Sequence, residues 1–273
     1  MNHRTVEIFT ENNDFQYLET LHRNRQKRNK FSEFIIEGVR PINQAIANNW
    51  KITAFIYSKD KTLSDWAKKH IEGRKVKIHY LLPQKLLAKI SQKEKTSELL
   101  ALAAIPEDSF ARIKIRKNLS IAIFDRPTNP GNLGSSIRSA DALGLAGIII
   151  TGHGVDLYSQ EVITASRGSL FSIPVIRKSA YSELIGLFDQ FKKELPKLQI
   201  IGADEKGKME IYKCDLKKPT VIILGNEKWG LSKAYKEICD KLVSIPMQGS
   251  ASSLNAACSA SIFFYELNRQ RNV

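Results

Sequence analysis

Short apolar runs alternate along the chain with longer stretches in which apolar positions recur every three or four residues, the marks of strands and helices in turn. Residues 13–30 read as a helix that becomes strongly basic towards its end. Phe34-Ile35-Ile36 reads as a short strand, broken by Glu37-Gly38 ahead of a helix over 39–48. A strand over 51–57, a helix over 62–71 and a strand over 76–80 follow. Pro83 then opens another helix in the first-turn position that tolerates proline, and an apolar run covers 99–105. This alternation predicts a small α/β unit, and the first domain is drawn over residues 1–105.

The rhythm lapses over 106–118, a charged segment read as a linker, and restarts in a second domain over 119–273. Strands are expected at 121–124, 147–151, 198–203, 220–224 and 242–245, and helices at 133–143, 181–193, 232–238 and 253–269. The runs 148–150 and 221–224 are apolar throughout, as in strands of a parallel sheet covered on both faces. The fold class is α/β, a parallel-sheet domain preceded by a smaller α/β domain.

At 273 residues, 42% hydrophobic and 26% charged, the chain has the make-up of a folded protein with a real core. No run of about 18 apolar residues occurs, and the first residues lack the apolar core of a signal peptide. The expectation is a cytoplasmic protein with no membrane span. Cys214, Cys239 and Cys258 are scattered, and His3, His22, His70, His79 and His153 do not cluster with them, so no metal site or disulfide is expected.

Charge changes the picture more. The net charge is +14, and residues 1–118 hold 23 basic against 13 acidic side chains. Arg23, Arg25, Lys27, Arg28 and Lys30 fall within ten residues. A basic face attracts nucleic acid by releasing its counterions, although a solvated lysine-rich surface carries the same excess. An anionic membrane would call for an amphipathic basic helix, and none stands out.

In open parallel sheets ligands bind at the carboxyl ends of strands, and three such ends have unusual compositions. In the first, Asn129-Pro130-Gly131 has turn chemistry, Asn132 is suited to cap the next helix, and Arg138 lies within it. Alone this reads as a capped helix with a surface arginine. In the second, an apolar strand runs into Gly225-Asn226-Glu227 and then Gly230, where glycine admits close backbone approach and Glu227 can favour a helix dipole. The third passes from Ile245-Pro246-Met247 through a Gln, Gly, Ser and Ala loop to a helix starting at Ser253, with Asn255 and then small residues. Packing explains the alanines there, but not the polar Ser253 and Asn255. Neither G-x-G-x-x-G nor a P-loop lysine is present, which argues against a nucleotide-dependent oxidoreductase.

In order and spacing the three segments resemble the motifs of the SpoU/TrmH family of RNA 2′-O-methyltransferases, within the SPOUT superfamily. Residues 10–105 resemble the small RNA-binding domain that precedes many rRNA-modifying members, through the phrase from Phe34 to Gly38 and the run 96–103. The resemblance implies a deep trefoil knot, otherwise almost absent from proteins, an S-adenosylmethionine cofactor, and a homodimer that completes the site across its interface. It implies a cofactor pocket made by Leu224, Gly225, Asn226, Ile245, Met247 and Leu254. It implies Arg138 as the catalytic residue, with Asn132, Ser253 and Asn255 holding it and the ribose, and Glu227 bracing the loops or Arg138. A guanidinium gives up its proton with difficulty, so anchoring a neighbouring phosphate suits Arg138 at least as well as acting as base. Arg23, Arg25, Lys27, Arg28 and Arg167 are candidate RNA contacts, with an ordinary surface role as the alternative for Arg167. The chain departs from the family after Ser-Leu-Asn: the usual Val-Ser or Val-Ala is replaced by Ala256-Ala257-Cys258, still small. The implied function is methylation of a ribose 2′-hydroxyl in structured RNA, rRNA over tRNA because of the basic first domain. A tRNA enzyme and a non-catalytic RNA-binding relative are the alternatives. Retention of Asn132, Arg138 and Asn255 counts against the second.

Overall fold

One asparagine reshapes the first expected helix. In the computed structural model, which describes residues 4–73, 76–91 and 93–272, strand β1 (Arg4–Glu7) leads to two helices, α1 (Asn13–Arg23) and α2 (Arg25–Phe31). Asn24 between them has extended backbone, and its side chain accepts from the amide of Lys27, so it ends one helix and caps the next. The chain continues through β2 (Glu33–Glu37), α3 (Val39–Ala47), β3 (Ile52–Ser58), α4 (Asp65–Gly73), β4 (Ile78–Leu82), α5 (Gln84–Lys89) and β5 (Leu99–Ala104). The five strands form one sheet in the order β1-β4-β3-β5-β2, with β5 antiparallel to both neighbours. Phe15, Leu18 and Leu21 of α1 and Leu86 and Leu87 of α5 close a core with Ile35, Ile56, Leu100 and Leu102 of the strands.

The second sheet takes its strands from β6 (Ser120–Asp125) onward. Helix α6 (Pro130–Ala142) and strand β7 (Gly147–Thr151) follow, then α7 (Gln160–Ser166), β8 (Val175–Lys178) and α8 (Ile185–Glu194). The chain ends through β9 (Gln199–Ala203), β10 (Met209–Glu210), β11 (Thr220–Leu224), α9 (Lys233–Ile238), β12 (Lys241–Ser244) and α10 (Ala256–Arg271). All seven strands are parallel, in the order β10-β12-β9-β11-β6-β7-β8. β7 and β11 are buried at every position, as their unbroken apolar runs predict. Leu187, Phe188 and Phe191 of α8 with Tyr235 of α9 cover a face built from Ile121, Ile123, Ile149, Val221 and Ile223. Helices α6 and α10 pack on each other and on β7 and β11.

Four elements were not anticipated: β1, β10, β8 and α7. β8 has two buried residues, Val175 and Ile176, behind Pro174, too little to stand out as a strand. Helix α7 is short and rich in β-branched residues, which favour helices weakly. It also interrupts the domain expected to run unbroken over 119–273. The chain divides into Met1–Glu107 with Asp156–Phe171 and Asp108–Val155 with Ser172–Val273. Within the first unit, Gln160 donates to the carbonyl of Ile35 at 2.5 Å and the Trp50 indole donates to that of Phe171 at 2.9 Å. The Phe34 ring lies 4.6 Å from Tyr158 and 6.3 Å from Phe171, centroid to centroid. These aromatic contacts hold the segment against β2.

Candidate active site

Because the second sheet is parallel, β6, β11 and β12 all deliver their following loops to one edge, and these loops carry the three segments singled out in the sequence. After β6 the cap of α6 is Asn129, not Asn132: the Asn129 side chain accepts from the amide of Asn132 at 2.9 Å, and Pro130 occupies the first helical turn. Asn132 is thereby released from capping. Its Oδ1 accepts from Asn255 Nδ2 at 2.9 Å.

Asn255 has two duties. Its Oδ1 accepts from the amides of Ala257 at 2.8 Å and Cys258 at 3.4 Å, capping α10, while its Nδ2 reaches Asn132. The last helix thus begins at Ala256 and not at Ser253 as expected. A second tie, Ser139 Oγ to Ser261 Oγ at 2.8 Å, lies farther along the same two helices. Buried Ala257 and Ala260 keep side-chain bulk low on α10.

The loop after β11 clamps the same region. Glu227 accepts from the Thr128 amide at 2.9 Å, the Thr128 hydroxyl at 2.8 Å and the Asn129 amide at 3.2 Å. Burial alone would push its carboxyl pKa up. The bonds from the Thr128 amide, its own amide, the Thr128 hydroxyl and the Asn129 amide outweigh that and hold it below the usual carboxylate range. Of the two bracing partners expected for Glu227, the contacts are to the loop. Asn226 is 7% exposed and engaged: Nδ2 donates to the carbonyl of Arg126 at 2.7 Å, and Oδ1 accepts from Lys228 at 2.9 Å and Trp229 at 3.1 Å. These bonds make it a fastener of the loop, and one N–H of its Nδ2 is not used by them. A Cβ on Gly225 would lie 2.2 Å from the carbonyl carbon of Gly230 and 2.3 Å from the amide nitrogen of Leu231. Only glycine lets the two backbone stretches pass.

Arg138 is exposed and forms no hydrogen bond or ion pair among the described residues. It shares an exposed stripe of α6 with Gly131, Ser135 and Ala142. Ser253 is exposed and likewise unbonded among the described residues. Leu224 is buried, Ile245 half-buried, and Met247 and Leu254 are each 38% exposed. Among the described residues, 246–254 form no backbone–backbone hydrogen bond. The loop after β12 therefore offers apolar side chains beside free amides and carbonyls, a donor set suited to a heteroaromatic base and its ribose.

Asp125, Thr128 and Asn129 had not been singled out as site residues. Buried Asp125 accepts from both Nε and Nη2 of Arg126, and from the amide of Ser232 at 3.1 Å. Proline directly after Asn129 was the available signal for the cap. Arg28 departs from its expected role as an RNA contact. It is 5% exposed, paired with Asp156, and donates to the carbonyls of Leu21 at 2.6 Å and His22 at 2.9 Å. Arg23, Arg25, Lys27 and Arg167 are exposed, Arg167 in the left-handed region at φ 52° where it ends α7. His3 lies outside the described residues. A cavity of about 590 Å³ lies at the opposite end of the sheet, beside Ser120, Pro174 and Arg271, away from these loops.

A family model described as the SpoU rRNA Methylase family matches residues 120–265, and one described as the SpoU L30e-like domain matches 12–101. The chain is 39% identical over 264 residues to the 23S rRNA (uridine(2479)-2′-O)-methyltransferase of Streptomyces viridochromogenes, covering 97% of this chain and 92% of that one. The crystal structure of the SpoU methyltransferase AviRb from the same organism, in complex with AdoMet, is similar with a TM-score of 0.91 and 39% identity over 95% of this chain and 98% of that one. An AdoMet-bound rRNA methyltransferase from Sinorhizobium meliloti gives 0.85 and 26% over 97% and 98%.

Proposed function

The chain belongs to the SpoU rRNA methylase family, and from that premise we propose that it transfers the methyl group of S-adenosylmethionine to a ribose 2′-hydroxyl of structured RNA, ribosomal RNA in preference to tRNA. The observation that carries the reading is the joining of three separate loops at one sheet edge, by Glu227 to Thr128 and Asn129 and by Asn255 to Asn132, beside an arginine with no internal partner.

S-adenosylmethionine, when bound, supplies a methyl group on a positively charged sulfur. Its seat is assigned to the loop after β12, with Met247 and Leu254 against the adenine and the free backbone groups of 246–254 for its polar edge. Gly225 supports that seat by keeping the neighbouring loop tightly turned. A ribose hydroxyl is a weak nucleophile, so most of what this chain adds is orientation. Arg138 is assigned to the phosphate next to the reacting ribose, through the bidentate geometry of its guanidinium. The bond between Asn132 and Asn255 ties α6 to the start of α10, and Ser253 faces the ribose. Residues 1–105 are assigned to RNA binding, led by Arg23, Arg25 and Lys27; the expected linker 106–118 instead belongs from Asp108 onward to the second unit, with Ile113 in its core. The trefoil knot and the homodimer belong to the same proposal; the exposed small-residue stripe of α6 and Tyr265 of α10, 58% exposed, support a partner on that side. A ribosomal substrate puts the enzyme in the cytoplasm.

The test uses the purified chain, S-adenosylmethionine and in vitro-transcribed 23S rRNA, with 2′-O-methylation mapped by primer extension. One new ribose methylation is expected with wild type. Arg138→Ala should lower transfer by at least about 100-fold while S-adenosylmethionine affinity, read by calorimetry, stays within about threefold. Binding of NAD in place of S-adenosylmethionine would refute the reading.

A further inference from the structure

Trp229 is 71% exposed, the most exposed large apolar side chain among the described residues. It does not hang on a floppy loop. Asn226 and Gly230 exchange both backbone hydrogen bonds, at 3.0 and 2.9 Å, and the Asn226 side chain accepts from the amides of Lys228 and Trp229. Asn226 is anchored in turn to the Arg126 carbonyl, and Glu227 pins the same loop to the cap of α6. The backbone under the indole is thus fixed from three sides. A rigid aromatic side chain binds a partner at little entropic cost, and holding it in water forgoes the gain from burial.

Its neighbours narrow down the partner. The Lys228 ammonium lies 4.7 Å from the ring centroid, over one face, and a single cation leaves the other face open. Two residues upstream is the carboxylate that fixes the helix bearing Arg138. An open aromatic face with a cation beside it matches one nucleotide unit of an unpaired strand: the base stacks and the cation takes a flanking phosphate. A hydrophobic protein partner would gain little from the ammonium placed over the ring.

We propose that Trp229 is a stacking platform for an unpaired base of the substrate RNA next to the methylated ribose, with Lys228 on the adjoining phosphate. The proposal rests on the methyltransferase reading, and its test separates the two. Methyl transfer to in vitro-transcribed 23S rRNA is compared for the full chain, Trp229→Ala and Trp229→Phe. The alanine variant should raise KM for RNA about 5- to 100-fold, with kcat changed less than about threefold and S-adenosylmethionine affinity unchanged. The phenylalanine variant keeps a ring and should return KM to within about threefold of wild type. In a second measurement, a short oligouridylate should quench tryptophan emission of the wild-type chain, and the largest part of that quenching should vanish in Trp229→Phe. Unchanged KM in the alanine variant, equal damage from alanine and phenylalanine, or a fall from dimer to monomer in sedimentation would each overturn the platform. Wild type that transfers no methyl group, yet shows the Trp229-dependent quenching, would overturn the activity and leave the platform standing.

Discussion

The bond between Asn132 and Asn255 can be separated from the capping that Asn255 also performs. Asn255→Ser keeps an acceptor for the first amides of α10, since serine and asparagine are near-equal caps, but it is too short to reach Asn132. Asn132→Ala removes the other end of the bridge and leaves the α6 cap, Asn129, untouched. A neutral hydrogen bond contributes about 0.5–1.5 kcal/mol, and this one is exposed, so each single variant should lose about 0.5 kcal/mol. The double variant should lose no more than either single one, a coupling of about 0.5 kcal/mol. Asn255→Ala should cost about 1 kcal/mol more than the serine variant, because the cap goes too. These losses are small against ordinary domain stability and leave the protein folded. The effect on rate is expected to be larger. The bridge ties the start of α10 to the helix that carries Arg138, and displacement of a positioning group by about 1 Å can cost 100-fold. Urea denaturation gives the coupling, and single-turnover methyl transfer gives the rate. Additive stability losses within about 0.3 kcal/mol, together with kcat within twofold of wild type in Asn132→Ala, would refute the reasoning.

Three further outcomes follow from the geometry. Gly225→Ala places a Cβ within 2.3 Å of the backbone of Gly230 and Leu231, so it should destabilise by about 3 kcal/mol, the upper end for overpacking, and abolish S-adenosylmethionine binding; a urea midpoint within error of wild type would contradict this. Arg28→Ala leaves Asp156 unpaired and two carbonyls without a donor, which should cost about 3–5 kcal/mol, whereas Lys27→Ala should change stability by less than about 0.5 kcal/mol. Guanidinium denaturation would distinguish that pattern from one in which both variants merely weaken RNA binding. The Glu227 carboxyl is lowered in the folded chain, so its contribution is present above the unfolded value of about 4.3 and is lost as pH falls through the lower folded value. The stability gap between wild type and Glu227→Gln should therefore be constant from pH 7 to about 5 and shrink below about pH 4; a gap independent of pH in thermal melts would remove the charge from the clamp's account.

Two strands covered on both faces, β7 and β11, were legible to the residue. Their apolar runs, 148–150 and 221–224, mark their centres, and buried Thr151 and Thr220 extend them. Helix ends were less legible, since the sequence offers two asparagines at α6 and the choice between them depends on where proline can sit. Pro130 fits the first turn and so selects Asn129. At α10 Ser253 and Asn255 competed in the same way, and the one whose side chain reaches two amides became the cap. Arg28 could not have been read at all. Its ion-pair partner, Asp156, stands 128 residues away on a segment that leaves the second sheet between β7 and β8, and in the local sequence Arg28 is one cation among five.

The same distance limit explains why the three segments looked stronger together than apart. Each contains a residue whose partner lies roughly a hundred positions off: Asn132 with Asn255, Thr128 and Asn129 with Glu227, Arg126 with Asn226. In isolation such a residue reads as a cap or a loop polar group, and that is part of what it is. Its second bond exists only after the parallel sheet has brought the strand ends to one edge. The polar residues of the motifs then fall into two groups. Asn132, Asn226, Glu227 and Asn255 use their side chains on other loops or helices, Asn129 uses its own to cap α6, and together they hold the edge in shape. Arg138 and Ser253 have side chains with no such use, and Trp229 is left in water on the tightest of the loops. A side chain that the fold holds exposed without giving it a partner is available to a ligand, and the experiments on Arg138 and Trp229 are aimed at those positions for that reason.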